Sequence, residues 1–187
     1  MDAARFTRRD ALIIIEGPDM VGKSTLVKAL IEELHEGQNL QYVPLHLDRP
    51  KPGFIDYYHL GFESGVFDRF MMSEILYSIA TSRKASISWE QFDLISGVLR
   101  YHKKAFRVIL WSSNNKLFED RHTDEELFDL TTCKFVNQLY IQNKHRADVT
   151  YDVAKGRLNP ELLAKKVVDL YLLHINHLAS LKGPDLL

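Results

Sequence analysis

Residues Ile13-Ile14-Ile15-Glu16-Gly17-Pro18-Asp19-Met20-Val21-Gly22-Lys23-Ser24-Thr25 run from an apolar strand pattern into G-x-x-x-x-G-K-[ST], the spacing of a phosphate-cradling loop. Glycines placed this way let the backbone curl until successive N–H groups face one phosphate chain. Lys23 would bring a point charge to the outer phosphates, and the Ser24 hydroxyl is suited to ligating Mg²⁺. The helix that opens here would also turn the positive end of its dipole toward the anion. Gly17, Val21, Gly22, Lys23, Ser24 and Thr25 are therefore the candidate phosphate-binding residues.

Outward from this loop, the chain alternates between strand and helix patterns. Ala11 to Glu16 is a continuous apolar run of strand length, as expected of a central strand covered on both faces. Leu26, Val27, Leu30, Ile31 and Leu34 then recur at helical spacing up to Gly37. Leu40 to Leu47 is the next strand candidate, followed by the proline-broken segment 48–53 and a short aromatic helix over Phe54 to Phe62. Gly65 to Phe70 reads as a brief strand ending on Asp68-Arg69. Met72, Ile75, Leu76 and Ile79 mark the next helix, and Trp89 to Lys104 another. Phe106 to Trp111 is a strand, the polar stretch of about 112–125 a candidate lid, and Glu125 to about His145 a long helix. A last strand, Asp148 to Val153, precedes a terminal helix capped by Asn159 with Pro160 at its first position. This alternation predicts one α/β domain over 1–187, with a five-stranded parallel sheet flanked by helices and joined by right-handed crossovers.

Composition narrows the function classes. With 187 residues, 26% charged and 45% apolar, the chain can bury a core of its own. No apolar run approaches the roughly 20 residues of a membrane span. The arginine-bearing lead-in Met1 to Asp10 lacks the features of a signal peptide, so a cytoplasmic location is expected. A net charge of −1 gives no overall footprint for nucleic acid. The single cysteine, Cys133, cannot form an internal disulfide and is expected to be a buried thiol.

The acceptor side is read from Asp68-Arg69-Phe70-Met71-Met72-Ser73-Glu74-Ile75-Leu76-Tyr77. A carboxylate at a strand's carboxyl end lies in the crevice where open α/β sheets bind ligands, placed to hold Mg²⁺ or orient an acceptor hydroxyl. Arg69 beside it can neutralise charge that develops on a phosphoryl group in transfer. Ser73 and Tyr77, four residues apart on a helix, share one face. The competing assignment is a surface Asp-Arg pair with a capping role.

With Glu16-Gly17-x-Asp19-x-x-Gly22-Lys23-Ser24-Thr25 and Asp68-Arg69-Phe70-x-x-Ser73-x-x-x-Tyr77 in place, the chain resembles the thymidylate kinases and related deoxynucleoside monophosphate kinases, including those encoded by phages. The resemblance implies a P-loop nucleoside monophosphate kinase fold, ATP with Mg²⁺ as donor, and a deoxypyrimidine nucleotide of the dTMP, dUMP or hydroxymethyl-dUMP type as acceptor. Carried over by position, Asp19, Arg49, Arg69, Ser73 and Tyr77 would bind the acceptor. Lys23, Asp68 and Arg69 would act in transfer, Ser24 and Asp68 would hold the metal, and Arg157 would flank adenine. Some members carry a catalytic arginine inside the loop where this chain has Met20, which leaves Arg121 of the lid to supply that charge. The short spacing between Arg49 and Asp68, Ser78 in place of the family's glutamine, and the extra carboxylate of Glu74 all depart from the thymidylate pattern. These departures keep two alternatives open: a kinase acting on 5-hydroxymethyluracil within phage DNA, and a nucleotide-binding regulator without catalysis. The resemblance also admits a homodimer, although no apolar stripe in the sequence separates a partner face from the core.

Overall fold

The computed structural model describes residues 12–38, 44–46, 53–123, 128–155 and 159–181. In chain order the strands are β1 (Leu12–Glu16), β2 (Pro44–His46), β3 (Gly65–Asp68), β4 (Phe106–Trp111) and β5 (Val149–Asp152). The helices are α1 (Lys23–Gln38), α2 (Phe54–Gly61), α3 (Met71–Ala80), α4 (Trp89–Lys103), α5 (Lys116–Arg121), α6 (Leu130–Gln142) and α7 (Pro160–Leu181).

All strand pairs are parallel and the order is β2-β3-β1-β4-β5. The sheet falls short of five full strands. Four strands of four to six residues carry it. Of the expected run Leu40 to Leu47, Pro44–His46 is described as β2, paired along the outer edge of β3, and residues 40–43 and 47 lie outside the described set. Pro44 opens that piece, and a proline has no N–H to donate, which confines it to an edge or to a strand's first position.

β1 lies at the centre because both of its faces are apolar. Ile13 and Ile15 enter one core layer with Leu26, Leu30, Leu34, Val108 and Val167 from α1, β4 and α7. Leu12 and Ile14 enter the other with Phe67, Met72, Leu76, Phe92, Ile95 and Leu99 from β3, α3 and α4. Alternation along a pleated strand produces this division, so an unbroken apolar run can serve two layers at once. From β1 the chain runs to β2 and β3 on one side and then crosses to β4 and β5 on the other, which makes the carboxyl end of β1 a topological switch point.

The helix boundaries follow local chemistry. Ser88 accepts a hydrogen bond from Gln91 N while the Gln91 side chain accepts from Ser88 N, a capping box that starts α4. Asp129 caps α6 through Thr132 N at 2.6 Å, so that helix begins later than the expected Glu125, while residues 124–127 lie outside the described set. Asn159 accepts from Leu162 N at 3.0 Å, with Pro160 opening α7. Cys133 is buried and its thiol donates to Phe128 O. No described helix is long and apolar enough to cross a membrane.

Candidate active site

The carboxyl ends of β1 and β3 bring the two motifs together. Register pairs Ile15 with Asp68, and Arg69 N donates to Ile15 O at 2.8 Å. Past β1 the chain turns back through Gly17 at φ 152° and Gly22 at φ 88° before entering α1. A Cβ at Gly17 would meet Leu110 O of β4 at 2.5 Å, so only glycine lets the loop root pass this close to the neighbouring strand. Met20 also adopts a left-handed conformation, φ 66°, in the middle of the loop.

Ser24 Oγ donates to Asp68 Oδ2 at 2.6 Å, joining the start of α1 to the tip of β3. Asp68 is buried. Lys23, also buried, donates through Nζ to Pro18 O and lies 4.0 Å from Asp19 Oδ1. The ammonium is thus held by oxygens of its own loop. Val21 is buried beneath the loop and Thr25 is exposed on the first turn of α1.

Arg69 pairs with Asp19 across the gap between the motifs. Its φ of 74° turns the side chain away from the direction of the strand and back toward the loop. Tyr77 completes this group. Its hydroxyl donates to Asp19 Oδ2 at 2.7 Å and accepts from Asp19 N at 2.9 Å, and the Arg69 guanidinium carbon sits 5.1 Å from its ring centre. Asp19, Arg69 and Tyr77, expected on the acceptor side, are thus in mutual contact beside Lys23. Ser73 is placed differently: it is buried, with its hydroxyl donating to Glu16 Oε2 at 2.6 Å and lying 2.7 Å from the Tyr140 hydroxyl.

Glu16 is the residue whose role the sequence reading missed. It is fully buried at the end of β1, where Oε1 accepts from Phe70 N and Met72 N, both at 3.1 Å, and Oε2 accepts from Ser73 Oγ and from the Tyr140 hydroxyl at 3.0 Å. One carboxylate therefore caps the start of α3, sets the turn that carries Arg69, and ties α6 to the root of the phosphate loop. The signal was present in the sequence: a carboxylate ending a strand covered on both faces must find internal donors. Burial raises the Glu16 pKa above the usual carboxylate range, against the opposing effects of Ser73, Arg107, Tyr140 and Met72. Burial, reinforced by the adjacent Glu16 charge, holds the Tyr140 phenol well above its ordinary value and so keeps it a donor.

The sign of the pH dependence follows. A carboxyl whose pKa is raised on folding stabilises the fold fully below its unfolded value near 4.5, and that contribution is lost as pH rises through the folded value. Glu16→Gln has no such titration. The stability of the parent minus that of Glu16→Gln, read from urea unfolding at a series of pH values, is expected to fall as pH rises above about 4.5. A flat difference would contradict the assignment.

Glu74, the extra carboxylate, is buried and bonded to Arg83 and Ser86. Burial alone would raise its pKa, but hydrogen bonds from Arg83 and Ser86 outweigh burial and lower it. Arg83 grips it at 2.9 and 2.7 Å and Ser86 N at 2.9 Å, which fastens the turn between α3 and α4.

The candidate lid carries one short helix, α5, and closes against the loop at a single described point, where exposed Arg121 donates through Nη1 to Met20 O at 2.7 Å. Lys116 stands exposed at the far end of α5. Asn137 of α6 anchors the lid's entry: its Oδ1 accepts from Ser112 N at 3.0 Å and its Nδ2 donates to Ser112 O at 2.8 Å. At the exit, Phe128 packs on Tyr77 with ring centres 5.0 Å apart. Arg49 and Arg157 lie outside the described residues.

The donors suit a magnesium nucleotide. Ser24 and Asp68 offer a hydroxyl and a carboxylate oxygen already in contact, the hard oxygen set that Mg²⁺ takes when substrate phosphates and water fill its remaining positions. Among the described residues no group of three or more His, Cys, Asp or Glu could hold a metal alone, so phosphate oxygens would be needed to complete the shell.

No protein-family model and no curated protein matches the chain. Among solved structures it is similar to the YorR protein of Bacillus subtilis, determined in complex with phosphorylated GDP. The two are 22% identical over 89% of this chain and 98% of that one, with a TM-score of 0.69. Looser likenesses are to deoxyadenosine kinase of M. mycoides with bound dATP, 16% identical over 84% and 99% of the two chains with a TM-score of 0.48, and to a gluconokinase of Sinorhizobium meliloti 1021, 18% identical over 92% and 95% with a TM-score of 0.42. At 22% identity the likeness to YorR is one of fold, a parallel α/β sheet flanked by helices.

Proposed function

We propose that this chain is an ATP- and Mg²⁺-dependent phosphotransferase that converts a deoxynucleoside monophosphate, of the deoxypyrimidine class, to the diphosphate. The observation that carries the reading is the meeting of two motifs separated in sequence: Ser24 bonded to Asp68, and Asp19 paired with Arg69, within one crevice at the carboxyl ends of β1 and β3. A loop that only bound nucleotide would have no need of a guanidinium and a carboxylate set against its outer end.

In this reading the loop amides and Lys23 hold the β- and γ-phosphates of ATP. Mg²⁺, when bound by Ser24 and Asp68, neutralises charge on those phosphates. An oxygen of the acceptor phosphate attacks the γ-phosphorus, the bond to the β–γ bridging oxygen breaks, and ADP leaves. Arg69 would exchange its pairing with Asp19 for the acceptor phosphate, freeing the Asp19 carboxylate, still oriented by Tyr77, for the sugar. Arg121 would bring the lid over the loop and exclude water. Positioning and electrostatics supply nearly all of the acceleration in such a reaction.

A coupled ADP-release assay over dTMP, dUMP, hydroxymethyl-dUMP, dCMP and dGMP tests the proposal; the guanine nucleotide is included because the similar B. subtilis protein was captured with one. Turnover is expected on at least one pyrimidine substrate. Transfer only to dGMP would change the acceptor class, and labelled phosphate entering hydroxymethyluracil-containing DNA instead would move the acceptor to DNA. ATP binding without transfer to any of these would make the chain a nucleotide sensor.

A further inference from the structure

We propose that Tyr140 is a positioning residue for phosphoryl transfer: acting through Glu16, it fixes the turn from which Arg69 reaches the acceptor. The role rests on the phosphotransfer reading, since it gives Tyr140 a part in that reaction. Tyr140 is fully buried in α6, so it can act on a substrate only through other residues.

Arg69 needs support from outside its own turn. Its left-handed backbone, φ 74°, is a conformation that a residue other than glycine keeps only where its surroundings hold it. The next residue, Phe70, occupies the N-cap of α3 and has no side-chain oxygen to cap with. Glu16 takes that place from β1. Its Oε1 accepts from Phe70 N and Met72 N, each at 3.1 Å, and a carboxylate at a helix start also suits the dipole. Arg69 N donates to Ile15 O at 2.8 Å, so two consecutive residues of β1 hold the turn.

The angle of the carboxylate is set at its other oxygen. Oε2 accepts from Ser73 Oγ at 2.6 Å and from the Tyr140 hydroxyl at 3.0 Å, with the two hydroxyls 2.7 Å apart. Ser73 rides on α3, the element being positioned, whereas Tyr140 refers the carboxylate to a separate helix. That helix is a fixed reference. Asn137, three residues earlier on the same face, is fully buried and bonds Ser112 through both ends of its amide. Burial raises the pKa of the Tyr140 phenol, and the Arg69 charge is close enough to oppose that rise. Loss of the hydroxyl alone keeps the ring in the core but removes one of the donors to Glu16 Oε2, so the carboxylate and the turn are free to rotate together.

Tyr140→Phe, Arg69→Ala and the double variant test this in the full chain, with dTMP, dUMP, hydroxymethyl-dUMP, dCMP and dGMP as acceptors and labelled γ-phosphate to read slow turnover. Tyr140→Phe is expected to lower kcat about tenfold, with the KM for ATP within about twofold of the parent's. In the Arg69→Ala background the same substitution should change kcat by less than about twofold. Acceptor dissociation constants, which need no turnover, should likewise be raised by Tyr140→Phe only where Arg69 is present. Amide hydrogen exchange at Phe70 and Met72, measured without nucleotide, should quicken about tenfold in Tyr140→Phe. Unchanged kcat in Tyr140→Phe, an equal factor in both backgrounds, or unchanged exchange at both amides would overturn the proposal. A parent that phosphorylates none of the monophosphates would remove the phosphotransfer reading itself, and with it the part of Tyr140, even where exchange is faster.

Discussion

Lys23→Ala is expected to lower kcat by about 10²- to 10³-fold while leaving the acceptor's dissociation constant within a few-fold of the parent's. The ammonium lies buried among the oxygens of its own loop, on Pro18 O and near Asp19, so its charge is available to a phosphate chain entering that loop. Charge on the transferring group is greatest in the transition state, and a cation in a largely dry site acts there more strongly than on the ground state. Pre-steady-state transfer of labelled γ-phosphate, together with equilibrium binding of the acceptor, separates the two effects. Equal turnover in parent and variant would remove Lys23 from the reaction. An equal loss in kcat and in acceptor affinity would make it a general anion site.

Arg121→Ala is expected to lower kcat by about 10³-fold, the lower end of the range for an arginine that closes on a phosphoryl group. The loop offers no arginine of its own, because Met20 occupies its middle. Arg121 reaches the Met20 carbonyl from an exposed position on α5. That contact buries little, so the variant should unfold at the same urea concentration as the parent, which distinguishes lost chemistry from lost structure. Arg121→Lys should recover only part of the rate, since an ammonium cannot reproduce a planar fork of donors. Unchanged turnover in Arg121→Ala would leave the side chain as a solvated lid residue that rests on the loop.

The central strand, the phosphate loop, the helix patterns and the Asp68-Arg69 strand tip were legible because each depends on neighbours close in sequence. Ile13 to Ile15 has to be covered on both faces, Gly17 and Gly22 mark backbone turns, and Asn159-Pro160 is a local start signal whatever surrounds it. The strand expected over Leu40 to Leu47 is described at Pro44–His46, where it pairs along β3 at the edge of the sheet. Ser73 was assigned to an acceptor because helical spacing places it beside Tyr77, yet spacing alone is silent on what already occupies a hydroxyl. Its partners, Glu16 and Tyr140, come from β1 and α6.

The same distinction separates what each level of description decided. The sequence by itself determined a strand, a loop turned by Gly17 and Gly22 and a helix in that order, because backbone conformation and the 3.6-residue and two-residue periods are local properties. Only the tertiary structure decided that Glu16 is a buried junction, that Asp19, Arg69 and Tyr77 hold one another, and that Arg121 reaches Met20. Each of those depends on which distant groups burial forces into contact. A buried carboxylate or guanidinium persists only where donors and counter-charges from other elements converge on it, and their arrival is a consequence of packing the sheet between its two helical layers.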